Sequence, residues 1–122
     1  MATDGIEGLM VETSNYGATA AFWASLGFEK VIETEHGSGQ WAHPNGGPYV
    51  FIVEQHDDRE LEVHPVLKVA DAAAFAPSRA PDFAQPFTAQ HWGVLQAVVR
   101  DPDGRNVSLE APDPNAAAGH HG

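Results

Sequence analysis

The side chains that most often carry out covalent chemistry are absent or isolated in this sequence. There is no cysteine, which removes thiolate nucleophiles, disulfides and zinc sites built on sulfur. The serines have no base partner at a motif spacing, and there is no P-loop, GxGxxG or GxSxG sequence. The residue pattern therefore gives no support for nucleophilic catalysis.

Length and charge narrow the classes of partner. The chain has 122 residues, enough for one domain, and 6 basic residues against 17 acidic ones give a net charge of −11. Phosphate backbones and anionic membranes would repel such a chain, so we expect no nucleic-acid or membrane partner. Without a visible targeting segment or an apolar run of about 20 residues, we expect a cytoplasmic protein.

The pattern of secondary structure repeats once along the chain. In the first half, turn signals and apolar periodicity predict strands and one helix in the order 6–13, helix 16–26, 28–35, 40–43 and 49–54. In the second half they predict a strand, a short alanine-rich helix after Asp71, an irregular segment with prolines and three more strands, over 61–69, 72–76, 77–86, 87–92, 94–100 and 106–111.

Each half is thus a βαβββ module, the first about 6–55 and the second about 61–111. We predict an α+β fold in a single domain, residues 1–113, in which the two modules form a curved mixed sheet around a cleft. Functional residues are expected on the strand faces that point away from the helices. Residues 114–122 are small, polar and unpatterned, and they are expected to form a disordered tail.

Four short motifs occur in order on this repeat. They are Ala21-Phe-Trp23 with Leu26-Gly-Phe28, His64-Pro through Asp71, Trp92-Gly93, and Asp101-Pro-Asp-Gly104. Together they resemble the vicinal-oxygen-chelate superfamily, which contains glyoxalase I, bleomycin-resistance proteins and extradiol dioxygenases. The resemblance covers residues 6–111. It implies a pair of βαβββ modules, usually dimeric, with a small molecule held in the cleft.

The resemblance also implies where metal ligands would stand in an enzyme of this superfamily. Those places fall on Gly8, His64 and Ser108, and only His64 can bind a metal. We therefore predict no metal and no other cofactor. One alternative remains, because strand alternation puts Glu12 and Glu110 on the same face as His64, and one histidine with two carboxylates suits iron or manganese. His64 is otherwise a hydrogen-bonded cleft residue or a general base, since its reference pKa is about 6.5.

Alternation along the strands selects some of the side chains that line the predicted cleft. Over 49–53 both faces are apolar, and we place Tyr49 and Phe51 inward because aromatic rings can fill the larger cavity. If Leu9, Val11 and Thr13 face the first helix, Met10 and Glu12 face the cleft. The predicted ligand-binding residues are Met10, Glu12, Trp41, Tyr49, Phe51, His64, Trp92, Ser108 and Glu110. Trp92 matches a drug contact in the similar bleomycin-resistance proteins, with core packing as the alternative. Edge packing is the alternative for Trp41, and a cross-strand ion pair with Lys68 is the alternative for Glu110.

Three hypotheses for the function follow. The first is a metal-free binding protein that sequesters an aromatic, neutral-to-cationic small molecule, as the bleomycin-resistance branch does. The second is a metal-dependent lyase, isomerase or dioxygenase of the glyoxalase type, and the third is a metal-free enzyme with His64 as base. We also expect a homodimer, because the open cleft leaves apolar strand surface and a sheet edge uncovered in a monomer.

Overall fold

Each half of the chain folds as one strand, one helical segment and three further strands. The computed structural model describes residues 2–119, which divide into an N-terminal unit, Glu7–Pro65, and a C-terminal unit formed by the described residues on either side of that range. The elements of the first half are β1 Ile6–Thr13, α1 Tyr16–Ser25, β2 Glu29–Glu33, β3 Ser38–Ala42 and β4 Tyr49–Glu54. Those of the second are β5 Val63–Lys68, a 3₁₀ turn Ala72–Ala74, β6 Asp82–Ala89, β7 Val94–Arg100, β8 Asn106–Pro112 and α2 Pro114–Gly119.

The N-terminal unit has the strand order β2-β3-β4-β1, with β1 parallel to β4 and the other pairs antiparallel. Helix α1 begins where the sequence predicts, because the Asn15 side chain accepts a hydrogen bond from the Ala18 N–H at 3.1 Å. It ends before Gly27, whose φ of 100° is the left-handed conformation that glycine adopts without strain.

One small core lies between α1 and the strands of this unit. Its buried residues are Val11, Ala20, Val50 and Ile52. Next to it, the hydroxyls of Thr13 and Thr19 lie 2.7 Å apart in a hydrogen bond that joins β1 to the helix. The odd-numbered residues at the end of β1 therefore face α1, as the alternation predicts.

The C-terminal unit repeats the arrangement, with the order β5-β8-β7-β6 and β5 parallel to β8. The helix predicted after Asp71 is shorter than expected. Asp71 caps it by accepting from the Ala73 N–H at 3.0 Å, but only three residues follow in a 3₁₀ turn before Phe75 turns to extended backbone. A second core of Val69, Ala97, Leu109 and Ala111 packs beside this turn.

The prediction for residues 77–92 was wrong in its boundaries. Strand β6 covers Asp82–Ala89 and includes Pro86, whereas residues 90–93 form a turn. Pro86 is tolerated because β6 is the last strand in the order and pairs only with β7, with register shifts between Phe83 and Thr88. An edge strand can leave the missing N–H on its open side.

The predicted fold class is confirmed: in each unit, parallel and antiparallel pairs combine in a mixed sheet with few helices. The tail differs from the prediction over Pro114–Gly119, which forms α2, and Asp113 accepts a hydrogen bond from the Asn115 N–H at its start. The rest of the predicted tail, 120–122, lies outside the described residues. No helix in the described chain is long and apolar enough to cross a membrane.

Candidate functional site

The parallel pairing of β1 with β4 brings four of the predicted ligand-binding residues onto one face. Met10 lies opposite Phe51, Glu12 opposite Val53 and Gly8 opposite Tyr49. Because Val50 and Ile52 are buried in the core beside α1, their neighbours point to the other side of the strands. We call this surface the β1/β4 face. Its residues are Met10, Glu12, Tyr49, Phe51 and Val53, all of them partly exposed.

The ring of Tyr49 covers Gly8 on this face. A Cβ atom added to Gly8 would overlap three carbon atoms of the Tyr49 ring. The place that the resemblance implies for the first metal ligand is therefore already taken by an aromatic ring. Any donor side chain at position 8 would first have to displace Tyr49.

The carboxylate of Glu12 is held in a network at the end of β1. The Arg59 guanidinium donates to both of its oxygens, to Oε2 at 2.5 Å and to Oε1 at 2.7 Å. The Glu62 N–H donates to Oε1 at 3.0 Å, and the Glu12 N–H donates back to the Glu62 carbonyl at 2.9 Å. Only 8% of the Glu12 side chain is exposed, whereas 42% of the Arg59 side chain is exposed.

These contacts set the protonation state of Glu12. Burial alone raises the pKa of a carboxyl group, because it disfavours the charged form. Here the hydrogen bonds from Arg59 and Glu62, with the positive charge of Arg59 and the influence of His64, outweigh burial and lower the pKa of Glu12 below its ordinary value. The carboxylate is therefore ionised and already compensated at neutral pH.

His64 lies on β5, two residues after Glu62, and is partly buried. Burial lowers its pKa below the ordinary value, although the negative charges of Glu62 and Glu12 act in the opposite direction. The imidazole is thus kept neutral at neutral pH, the form in which it can accept a proton. This fits the general-base alternative and equally a neutral hydrogen-bonding residue.

Trp41 does not lie on the β1/β4 face. It pairs in register with Val50 and packs against the core beside α1. Its indole N–H donates to the Tyr16 hydroxyl at 3.2 Å, and that hydroxyl donates to Glu33 at 2.8 Å. Strand β3 therefore turns Trp41 toward the helix, where it packs beside the core, and its contact with a ligand stays a prediction.

Three predicted site residues belong to the C-terminal unit. Ser108 and Glu110 lie on the face of β8 opposite the core, in register with Val66 and Lys68. Ser108 is only 1% exposed, so a larger side chain would have little room there. Trp92 lies in the turn before β7 and is 52% exposed. Its ring meets that of His91 edge-on, with 4.9 Å between the ring centroids. The core alternative for Trp92 does not hold.

The residues present do not fit a metal ion. Among residues 2–119, no group of three or more His, Asp or Glu side chains is arranged to hold one. Glu12 has both oxygens engaged by Arg59, and Gly8 is covered by Tyr49. No step of the proposed function therefore passes through a metal.

Arg59 is the residue of this network that the sequence analysis missed. It lies in the segment between β4 and β5, residues 55–62, which we call the acidic connector. The signal was present, because Arg59 is the one basic residue among the carboxylates of that segment, at positions 57, 58, 60 and 62. A lone guanidinium in such a segment is expected to form ion pairs, and it does so with Asp57 as well, at 3.0 Å.

Comparisons with known proteins agree on the fold. No family model matches the sequence, and no curated protein matches it. Among solved structures, a glyoxalase/bleomycin resistance protein/dioxygenase superfamily member from Vibrio splendidus 12B01 matches at a TM-score of 0.67 and 16% identity, covering 85% of this chain and 96% of that one. The chain has the glyoxalase/bleomycin-resistance fold.

Two further structures with this fold show how widely its functions vary. A protein described as an NAD-dependent benzaldehyde dehydrogenase from Legionella pneumophila matches at a TM-score of 0.65 and 12% identity, over 86% of this chain and 97% of that one. The halotolerant catechol dioxygenase BphC matches at 0.58 and 14%, over 93% of this chain and 42% of that one. At such identities the likeness extends to the fold alone, because one fold carries unrelated chemistries.

Proposed function

We propose that this chain binds an aromatic small molecule, neutral to cationic, on the β1/β4 face and carries out no chemistry on it. The observation that carries the proposal is the Tyr49 ring over Gly8. It puts an aromatic surface where a metal ligand would stand in an enzyme of the similar superfamily. Met10 and Phe51, opposite one another on the same face, add the apolar wall typical of small-molecule sites.

Charge supports the choice among ligand classes. The net charge of −11 attracts cations and repels anions over the whole surface. Of the groups on the β1/β4 face, Glu12 is ionised, and the lone guanidinium of Arg59 compensates it. We therefore expect neutral and cationic aromatic compounds to bind in preference to anionic ones.

A second candidate is a metal-free enzyme that uses His64 as a base. The observation that favours it is the burial of His64, which lowers its pKa and keeps the imidazole neutral. The metal-dependent alternative has less support, because the residues do not form a ligand set. Turnover of any bound compound that is lost in His64→Gln with binding retained would favour the enzyme over the binding protein.

The test of binding is isothermal titration of neutral, cationic and anionic aromatic compounds of matched size. Tyr49→Ala and Phe51→Ala should each weaken binding at least tenfold, whereas Phe22→Ala should not. Phe22 is the matched control, since it is an exposed aromatic residue on the outer surface of α1. Equal affinity in Tyr49→Ala, Phe51→Ala and Phe22→Ala would contradict the site, and preferential binding of anionic compounds would contradict the ligand class.

We also propose that the chain is a homodimer. Strand β2 is an edge strand, and all five of its residues are exposed. Its Val31 and Ile32 are each 58% exposed. Leu26, after the end of α1, exposes a similar fraction, so a second copy would remove a sizeable apolar surface from water. Sedimentation should give a species of twice 13.0 kDa at tens of micromolar, and a monomer there would contradict the proposal.

A further inference from the structure

Glu12 is the acidic side chain of the β1/β4 face, and its negative charge is already compensated by Arg59. Arg59 approaches it with two nitrogens, in the parallel geometry that a guanidinium or amidinium of a ligand would use. The same guanidinium also reaches Asp57 at 3.0 Å and Glu62 at 3.4 Å. One side chain thus holds three carboxylates.

The position of Arg59 also fixes the acidic connector. Residues 56–61 are exposed, and the connector is tied to β1 through the Glu12 carboxylate and the pair of backbone contacts between Glu12 and Glu62. An incoming cation can reach the Glu12 oxygens only when Arg59 leaves them. Release of Arg59 from Glu12 would therefore break their ion pair and also weaken the attachment of the acidic connector to β1.

We propose that Arg59 is a specificity-determining residue: it acts as an internal cation that occupies Glu12 and prevents amidinium and guanidinium compounds from binding there. The inference rests on the proposed function, in that the β1/β4 face is the binding surface. Arg59 would thereby determine whether the positive charge of a ligand adds to its affinity for that surface. The aromatic side chains hold a ligand, and Arg59 excludes a cation from the one buried carboxylate beside them.

The test compares benzamidine, a planar aromatic cation, with benzamide, its neutral counterpart of the same shape. In the wild-type chain the two should bind with affinities within about threefold of each other. In Arg59→Ala, benzamidine should bind at least tenfold more tightly than in wild type, because its amidinium can take the place of the guanidinium, while benzamide should change little. The gain should disappear in Arg59→Ala/Glu12→Gln.

Arg105→Ala is the matched control. Arg105 pairs with Asp101 and Asp103 at the surface and is 73% exposed, so its removal opens no buried carboxylate and should give no gain for benzamidine. If Arg59→Ala fails to fold, which circular dichroism detects, Arg59→Gln replaces it and the wild-type ratio of the two compounds is still measured.

Two outcomes would overturn the inference. One is a folded Arg59 variant that gains no affinity for benzamidine, or whose gain in affinity is just as large when Glu12→Gln is added. The other is a wild-type chain that binds benzamidine at least tenfold more tightly than benzamide and loses that preference in Glu12→Gln. Both outcomes can be distinguished from a failure of the proposed function. That failure would appear as unchanged binding of every aromatic compound in Tyr49→Ala and Phe51→Ala.

Discussion

Tyr49 and Gly8 lie opposite each other on parallel strands, and the tyrosine ring fills the space that any side chain at position 8 would need. In the metal enzymes that the sequence resembles, the implied ligand stands at this position. Here the absence of a ligand is therefore matched by a packing contact, and restoring a donor at position 8 alone would not restore a site.

This contact predicts that Gly8→Ala destabilises the chain. The new methyl group must push the Tyr49 ring aside, and overpacking of this kind costs about 1–3 kcal/mol. Urea denaturation should show this loss in the free energy of unfolding. In Gly8→Ala/Tyr49→Ala the loss should be smaller than the sum of the single losses.

Gly17→Ala is the control for this measurement. Gly17 lies in the first turn of α1, where an added Cβ would meet only Asn15 Oδ1 at 3.7 Å. There alanine should stabilise the chain by up to about 1 kcal/mol. A Gly8→Ala chain as stable as wild type would show that Tyr49 does not press on position 8.

Arg59 should determine how stability depends on pH around the pKa of Glu12. In wild type the lowered pKa means that Glu12 contributes stability above the ordinary value, about 4.3, and loses it as the pH falls through the folded-state pKa. In Arg59→Gln, burial remains while the guanidinium is gone, so the pKa of Glu12 moves upward. The free energy of unfolding of the variant should fall behind that of wild type increasingly as the pH rises from 4 to 7.

The check is a series of denaturation curves across that range, with Arg59→Gln/Glu12→Gln as the control. The double variant has no titrating group at position 12, so the loss of stability with rising pH that Glu12 causes in Arg59→Gln should be absent from it. A difference between Arg59→Gln and wild type that is constant with pH would contradict the assignment.

His64 should contribute a separate loss of stability on acidification. Because burial lowers its pKa in the folded state, the unfolded chain takes up the proton first as the pH falls below about 6.5. Stability from this group is therefore present above that pH and declines below it, at no more than about 1.4 kcal/mol per pH unit. His64→Gln should flatten the stability profile between pH 6.5 and 5.

The resemblance implies that Trp92, which lies outside the β1/β4 face, also contacts the ligand. Its half-exposed ring is available for stacking, and stacking with cation–π attraction is worth roughly 1–2 kcal/mol. Trp92→Ala should therefore weaken binding about tenfold or more, measured by calorimetry so that the loss of a fluorophore does not matter. Unchanged affinities for every compound in Trp92→Ala would assign this residue no part in the site.

Metal content tests the distinction between binding protein and metal enzyme. Protein purified without chelator should hold far less than one equivalent of Zn, Ni, Mn or Fe, because Gly8 and Ser108 cannot act with His64 as a ligand set. Elemental analysis of wild type and His64→Ala gives the answer. About one equivalent in wild type, lost in His64→Ala, would favour the metal-dependent alternative.

Local signals were enough to predict the repeat and most of its elements. The Asn15 cap and Gly27 bound α1, and alternation along 6–13 separates Val11 and Thr13 from Met10 and Glu12. These features depend on backbone geometry and on side chains a few residues apart, so the sequence carries them directly. The start of β6 was misplaced, because edge position, which makes Pro86 acceptable in a strand, is a property of the sheet.

The sequence alone determined the two-module fold, the residues Gly8 and Ser108 at places where the resemblance implies metal ligands, and the acidic charge. Only the tertiary structure decided which distant residues meet. It placed Arg59 on Glu12, 47 positions apart, put Tyr49 over Gly8 and turned Trp41 toward the helix. Such pairings depend on how strands align and on where a connector is fixed, and each of them depends on contacts between residues far apart in the chain, which no local pattern records.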